Sequence, residues 1–409
     1  MNIKSSLKSL IPTILVVFMA GCLTAVKPVE EAGRLTDQQK WVEKTIKKMS
    51  LEEKIGQLII VRYHGEFYNR QDEDFKQLER LVHDYHLGGL ILFGGEPLET
   101  AYFNNHFQRL AKIPLLIASD LERGTGNQVT GATLFPPLMA LGAAGSELER
   151  GTGNQVTGAT LFPPLMALGA AGSEKLAYEM GRITALEGRA LGIHMTYAPV
   201  VDVNINPDNP IINTRSVGED PELVARLTGA FIRGCQSNGM IATAKHFPGH
   251  GDTDQDSHSL LPVIKADLDR LQKVELYPFQ KAIEQGVEAI MTAHLYVPAL
   301  EPEPGLPATL SPRILTDLLR NKMGFKGLVV TDALEMAGIA RYYSQEEAAL
   351  RALKAGVDLL LLPLDPVKVI NYLKEAVEQG ELPVERVDES VRRLLAVKAR
   401  LGLSHQSLV

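Results

Sequence analysis

The sequence predicts an α/β protein built as a single (β/α)8 barrel. Eight short, largely apolar runs recur at residues 58–61, 89–93, 114–119, 194–201, 241–245, 289–293, 328–331 and 357–362. Their apolar character is continuous rather than alternating, which suits strands of a parallel sheet covered on both faces. Helical patterns separate the runs. Ionisable residues follow the runs at one end: Asp120 after the third, Asp202 and then Arg215 after the fourth, Lys245-His246 at the fifth, His294 at the sixth and Asp332 at the seventh. That is the end at which a barrel gathers its functional side chains. An open doubly wound sheet is the competing arrangement, but no glycine-rich dinucleotide turn follows the first strand.

The helices carry their own signals. Ser50-Leu-Glu-Glu53 reads as a capping box ahead of the first strand. Asp220-Pro221 opens a helix with Leu223, Val224, Leu227 and Phe231 on one face, proline taking the first helical position. Asp365-Pro366 opens another, which Gly380 closes. Val387, Val391, Leu394 and Leu395 form the apolar stripe of the last helix. Cys235 sits on an apolar helical face and reads as a small core residue.

Composition narrows the function classes. The chain is 45% hydrophobic and 22% charged, with 42 Lys and Arg against 49 Asp and Glu. These values exclude a disordered, collagen-like or polytopic membrane chain. The acidic balance argues against a nucleic-acid partner. At about 100–200 residues per domain, 409 residues would make two or three domains. The N-terminus and an internal repeat both reduce that count.

Lys4 and Lys8 precede an apolar stretch at 11–20 that ends in Met19-Ala20-Gly21-Cys22. The stretch is too short for a permanent membrane span. It resembles a bacterial lipoprotein signal, which implies cleavage before Cys22 and lipidation of its thiol. A plain secretory signal with a chance cysteine is the alternative. The expected organisation is a signal peptide at 1–21, a tether at 22–40 and a barrel at 41–405. The expected location is the cell envelope, lipid-anchored and facing the periplasm or the exterior.

Residues 121–147 and 148–174 are identical, each reading LERGTGNQVTGATLFPPLMALGAAGSE. A solenoid needs about three or more units and tolerates drift between them, so a tandem duplication in the loop after strand 3 is the better reading. The expected arrangement is a hybrid. The start of the first copy supplies the turn after Asp120, the end of the second supplies the 162–166 packing segment, and about one repeat length becomes a surface excursion.

Residues 245–258 read KHFPGHGDTDQDSH and hold three of the ten histidines. Two chemistries compete for this segment. Histidines and aspartates at this density can hold a metal. Alternatively, Asp256 and His258 form an acid–base dyad, the carboxylate orienting an imidazole that titrates near neutrality. Proline and glycine between His246 and His250 disfavour the helical two-ligand metal pattern.

KHFPGHGDTDQDSH, followed by Gly327-Leu-Val-Val-Thr-Asp332-Ala-Leu-Glu-Met336, resembles glycoside hydrolase family 3, more narrowly its β-N-acetylhexosaminidase branch, from about residue 40 to 403. The resemblance implies a barrel that removes terminal β-linked N-acetylglucosamine with retention. It implies Asp332 as nucleophile, His258 as general acid/base with Asp256 as its partner, and Asp120, Arg215, Lys245, His246 and His294 as substrate-binding residues. Asp202 is expected to be structural, and His250 to shape the loop. Many members of the family that the sequence resembles carry an arginine about eight residues past the aspartate of strand 3, where this chain has Asn127-Gln128. No cofactor or metal is implied. The expected partners are an oligosaccharide ending in N-acetylglucosamine and, through Cys22, a membrane; the chain is expected to be a monomer. A β-glucosidase or xylosidase of the same family and a disabled sugar-binding lipoprotein are the alternatives.

Overall fold

A computed structural model describes residues 35–65, 71–129, 160–254, 261–405 and 408. Cys22, Asp256, His258 and the junction between the two repeat copies lie outside them.

Eight parallel strands form one sheet: β1 (Ile59–Gly65), β2 (Gly89–Gly95), β3 (Leu116–Ser119), β4 (Met195–Thr196), β5 (Ile241–Phe247), β6 (Ala289–Thr292), β7 (Leu328–Val330) and β8 (Leu360–Leu361). Their order is β7-β6-β5-β4-β3-β2-β1-β8. A bridge between Val330 and Leu359 brings the two ends of that order together, so the sheet nearly closes into a barrel. A helix follows every strand, from Glu73–Asp84 after β1 to Pro366–Glu378 after β8.

The continuous apolar runs divide between two cores. Ile60, Ile91, Leu116, Ala118, Met195, Ile241, Ala289, Met291, Leu328 and Val330 pack together as one buried cluster, the barrel interior. Their strand neighbours Ile59, Val61, Leu90, Leu92, Leu115, Ile117, Ala242, Ile290 and Val329 join a second cluster with the helices. Side chains alternate along a strand, so a strand with two buried faces needs apolar residues at every position.

Local signals hold where expected. Ser50 and Glu53 form the capping box. Asp220 and Asp365 cap their helices through their side chains, each with proline in the first turn. The stripe from Val387 to Leu395 is buried, and Cys235 is buried in its helix. Two boundaries differ. The helix Asp37–Ile46 begins inside the stretch expected to be tether, its first turn held by a Lys40–Asp37 pair at 2.9 Å. Strand 4, expected over 194–201, is regular only at Met195–Thr196. Pro199 lacks an N–H, and pairing resumes beyond it as a single bridge from Val200 to Lys245.

One buried charge cluster stands at the N-terminal end of β8. Asp358 is fully buried. It accepts hydrogen bonds from Ser390 Oγ at 2.7 Å, Arg393 Nη1 at 2.9 Å and Val329 N at 3.0 Å, and it pairs with Arg320 and Arg386. Burial alone would raise this carboxyl, but the three guanidinium groups hold it below its ordinary value. A depressed folded pKa adds stability above the unfolded carboxylate pKa, lost as pH falls through the folded value. Asp358→Asn is expected to destabilise the fold by about 3 kcal/mol, because three arginines lose their common counter-charge. Thermal melting at neutral pH checks this, and the deficit should shrink as the pH is lowered towards acid unfolding of the parent.

Candidate active site

The loops after the strands enclose a cavity of about 500 Å³. Its lining includes Arg62 of β1, Asp120 and Glu122 after β3, Arg215 after β4, Lys245, His246 and His250 at and after β5, and Asp332 and Glu335 after β7. Residues spread over most of the chain thus meet at the C-terminal ends of the strands.

Asp332 stands directly after β7, its backbone N–H donating to the Thr292 carbonyl of β6 at 3.2 Å. Its Oδ1 accepts the Ala333 N–H at 2.8 Å. Burial opposes its ionisation, but the His246 ring, the Ala333 N–H and the Lys245 ammonium hold the carboxyl below its ordinary value. It is therefore a carboxylate at neutral pH, facing an open cavity.

The sugar-ligand candidates form two groups. In the first, Lys245 Nζ lies 2.7 Å from Asp120 Oδ1 and 2.7 Å from Glu122 Oε1. Arg215 donates to Glu122 twice, from Nε at 3.0 Å and Nη2 at 2.6 Å. Burial works against both cations, yet the neighbouring carboxylates raise Lys245 and Arg215 above their ordinary values. Burial also opposes Glu122, which Lys245 and Arg215 nevertheless hold far below the usual carboxylate range. In the second group, His246 donates from Nδ1 to Asp202 Oδ2 at 2.7 Å, and its side chain belongs to the cavity lining. Asp202 also accepts the backbone N–H groups of His246 and, at 2.6 Å, of His250. Asp202 does not line the cavity. It is structural, as expected, but what it structures is a cavity-lining imidazole and the loop that follows.

His294 departs from its expected role. It is buried and is not among the cavity-lining residues; its Nδ1 meets Thr309 Oγ1 at 2.9 Å and its Nε2 meets the Ala333 carbonyl at 3.1 Å. Both ring nitrogens are thereby used by protein groups, and burial lowers its pKa, so the neutral ring braces the residue after Asp332. His250 lines the cavity and hydrogen-bonds Thr253 Oγ1 at 2.9 Å. Burial, with His246 beside it, pushes its pKa down to about 4. Gly251 permits a close approach there: a Cβ would stand 1.7 Å from the Val203 carbonyl oxygen.

Asn127 and Gln128, which stand where the family resemblance would place a sugar-binding arginine, serve the loop. Asn127 Nδ2 donates to the Asp120 carbonyl at 3.0 Å, and Gln128 Oε1 accepts the Gly94 N–H at 3.2 Å. They brace the loop instead of supplying a cation.

Sequence reasoning missed Glu122, Arg62 and Glu335. Glu122 lies two residues past Asp120, the spacing that returns an extended chain to the same side. Arg62 and Glu335 form an ion pair at the cavity rim, with Arg62 over the Phe93 ring at 5.7 Å. Their separation along the chain hides that pairing.

The described parts of the repeat come from both copies. Leu121–Val129 of the first and Thr160 onward of the second pack together: Phe162 N donates to the Arg123 carbonyl at 2.7 Å, Arg123 Nε to the Phe162 carbonyl at 2.8 Å, and Gly126 N to the Thr160 carbonyl at 2.8 Å.

The Glycosyl hydrolase family 3 N terminal domain matches residues 50–148 and 144–397, the two matches meeting inside the repeat. Over 372 residues the chain is 34% identical to the "Beta-N-acetylglucosaminidase/beta-glucosidase" of Cellulomonas fimi, covering 89% of this chain and 60% of that protein. The structure of a glycoside hydrolase family 3 beta-N-acetylglucosaminidase from Paenibacillus sp. str. FPU-7 superposes with a TM-score of 0.76 at 40% identity, covering 87% of this chain and 63% of the other. The beta-glucoside phosphorylase BglX also has a TM-score of 0.76, at 30% identity, covering 92% and 62%. The chain thus spans somewhat less than two thirds of the length of these relatives. With the motifs in order along a parallel barrel and an ionised aspartate after its seventh strand, the chain belongs to glycoside hydrolase family 3.

Proposed function

We propose that the chain is a retaining β-N-acetylglucosaminidase that acts on the non-reducing end of peptidoglycan fragments or chitin-type oligosaccharides. The observation that carries this reading is Asp332: an ionised carboxylate facing a cavity lined by Asp120, Arg215, Lys245 and His246. In the first step Asp332 attacks the anomeric carbon, while His258, oriented by Asp256, protonates the leaving oxygen. In the second step the neutral His258 takes a proton from water, which displaces Asp332 and releases the sugar. Charged and polar groups around the cavity hold the sugar hydroxyls. The likeness to the Cellulomonas fimi and Paenibacillus enzymes supports the N-acetylglucosamine preference. We further propose lipidation at Cys22, which would hold the domain beside the cell wall; among the described residues no helix is long and apolar enough to cross a membrane.

The test is hydrolysis of a chromogenic β-N-acetylglucosaminide and of its glucoside counterpart, with and without phosphate. Preferential hydrolysis of the first, independent of phosphate, supports the reading. Preference for the glucoside would transfer it to the glucosidase branch, and a requirement for phosphate would make it a phosphorylase, as the likeness to BglX allows.

The repeat gives a further expected result. Because the copies are identical, deleting 121–147 or 148–174 yields the same chain. In that chain three residues, Thr-Gly-Ala, would join Val129 to Thr160, and every contact described for this loop could persist. The deletion is expected to retain activity and to raise stability by about 1–2 kcal/mol through the shorter loop to be closed. Melting curves and the chromogenic assay check it, and a large loss of activity would contradict the hybrid arrangement.

A further inference from the structure

We propose that Glu122 is a positioning residue for sugar binding: its carboxylate fixes Arg215 and Lys245 as one rigid unit with Asp120 at the cavity wall. This rests on the hydrolase reading above. Three observations carry it. First, the side chain of Glu122 is only 13% exposed, while it lines the cavity between the two cations. Second, its two oxygens receive three donors: Oε1 takes Lys245 Nζ and Arg215 Nη2, and Oε2 takes Arg215 Nε. A bidentate fork fixes the plane of the guanidinium, as a single contact does not. Third, Lys245 is 2% exposed and also reaches Asp120, so Glu122 and Asp120 share one ammonium. Two carboxylates and two cations form a closed, neutral set.

The physical consequence is preorganisation. Without Glu122, Arg215 keeps only its Nη1 contact to the Ile211 carbonyl at 3.1 Å, and Lys245 turns wholly to Asp120. Each sugar contact would then have to be ordered on binding, and misplacement of this kind costs about 100-fold. Glu122 acts through its neighbours and needs no contact with the substrate.

The repeat supplies an internal control. Glu149 occupies the same place in the second copy that Glu122 occupies in the first, within an identical sequence. Only Glu122 follows Asp120. The test compares Glu122→Gln, Glu122→Asp and Glu149→Gln with the parent and with Asp332→Ala on a chromogenic β-N-acetylglucosaminide. Glu122→Gln is expected to lower kcat/KM by about 100-fold, mainly through KM. Its alkaline limb, set by the His258 acid, should stay in place, so that the loss is read in KM and not in a titration. Glu122→Asp should recover part of the affinity, and Glu149→Gln should match the parent. Melting curves identify any variant that fails to fold; should Glu122→Gln do so, Glu122→Asp carries the test. A Glu122→Gln variant that folds with kcat/KM and KM like the parent's would overturn the proposal. So would a loss in Glu149→Gln equal to that in Glu122→Gln. If the parent itself hydrolyses no such substrate, the hydrolase reading fails, a result distinct from either of these.

Discussion

Asp332→Ala is expected to lower kcat for hydrolysis of a β-N-acetylglucosaminide by about 10⁴-fold or more, the scale of losses when a covalent nucleophile is removed. The effect should lie in kcat and leave binding largely intact. The cavity wall of Asp120, Arg215, Lys245 and His246 does not depend on Asp332 for its geometry: Lys245 is held by Asp120 and Glu122, and His246 by Asp202. Alanine also removes a carboxylate whose charge favours the protonated forms of His250 and His294. Both rings are already shifted towards neutrality by burial, so the variant should fold. Steady-state kinetics and inhibition by free N-acetylglucosamine separate the two effects. In the parent, activity should persist to low pH before the nucleophile is protonated, since the Asp332 carboxyl is held below its ordinary value.

His258→Ala carries the second large expected effect, about 10²–10⁴-fold, the usual contribution of a positioned acid or base. Its size should depend on the leaving group. A dinitrophenolate departs without a proton, so the first step should suffer little with that substrate. A sugar alkoxide needs the proton, so the full loss should appear with a disaccharide. Asp256→Asn gives the companion result. Loss of the neighbouring carboxylate lowers the imidazole pKa, and the acid must be protonated for the first step. The alkaline limb of kcat/KM should therefore move to lower pH, while the acid limb set by Asp332 stays in place.

Much of this site was legible in the sequence because barrel topology does the gathering. Once residues 328–331 are read as a strand, Asp332 must stand at the mouth, and the same logic places Asp120, Lys245 and His246. The family resemblance supplied what position could not, namely which carboxylate attacks. What remained hidden was pairwise. Glu122 reads as one more loop acid until Lys245 and Arg215 are seen to turn towards it. Asp202 reads as a strand-end acid until His246 and His250 are seen to depend on it. His294 erred in the other direction: a histidine at a strand end reads as a ligand, but its partners Thr309 and Ala333 lie in segments that no local pattern joins to it. Proline explains the shortened fourth strand, a local rule outweighed by the apolar run around it. The repeat was plain as sequence; the bond from Arg123 of one copy to Phe162 of the other supports the hybrid reading of its use.

In the proposed mechanism Asp332 forms a covalent bond to the anomeric carbon. That bond is tested most directly by trapping the enzyme with a 5-fluoro-N-acetylglucosaminyl fluoride, followed by peptide mass spectrometry. One glycosyl adduct per chain is expected, on Asp332 and absent from Asp332→Ala. An adduct on another residue, or turnover of the reagent by Asp332→Ala at the parent's rate, would contradict it.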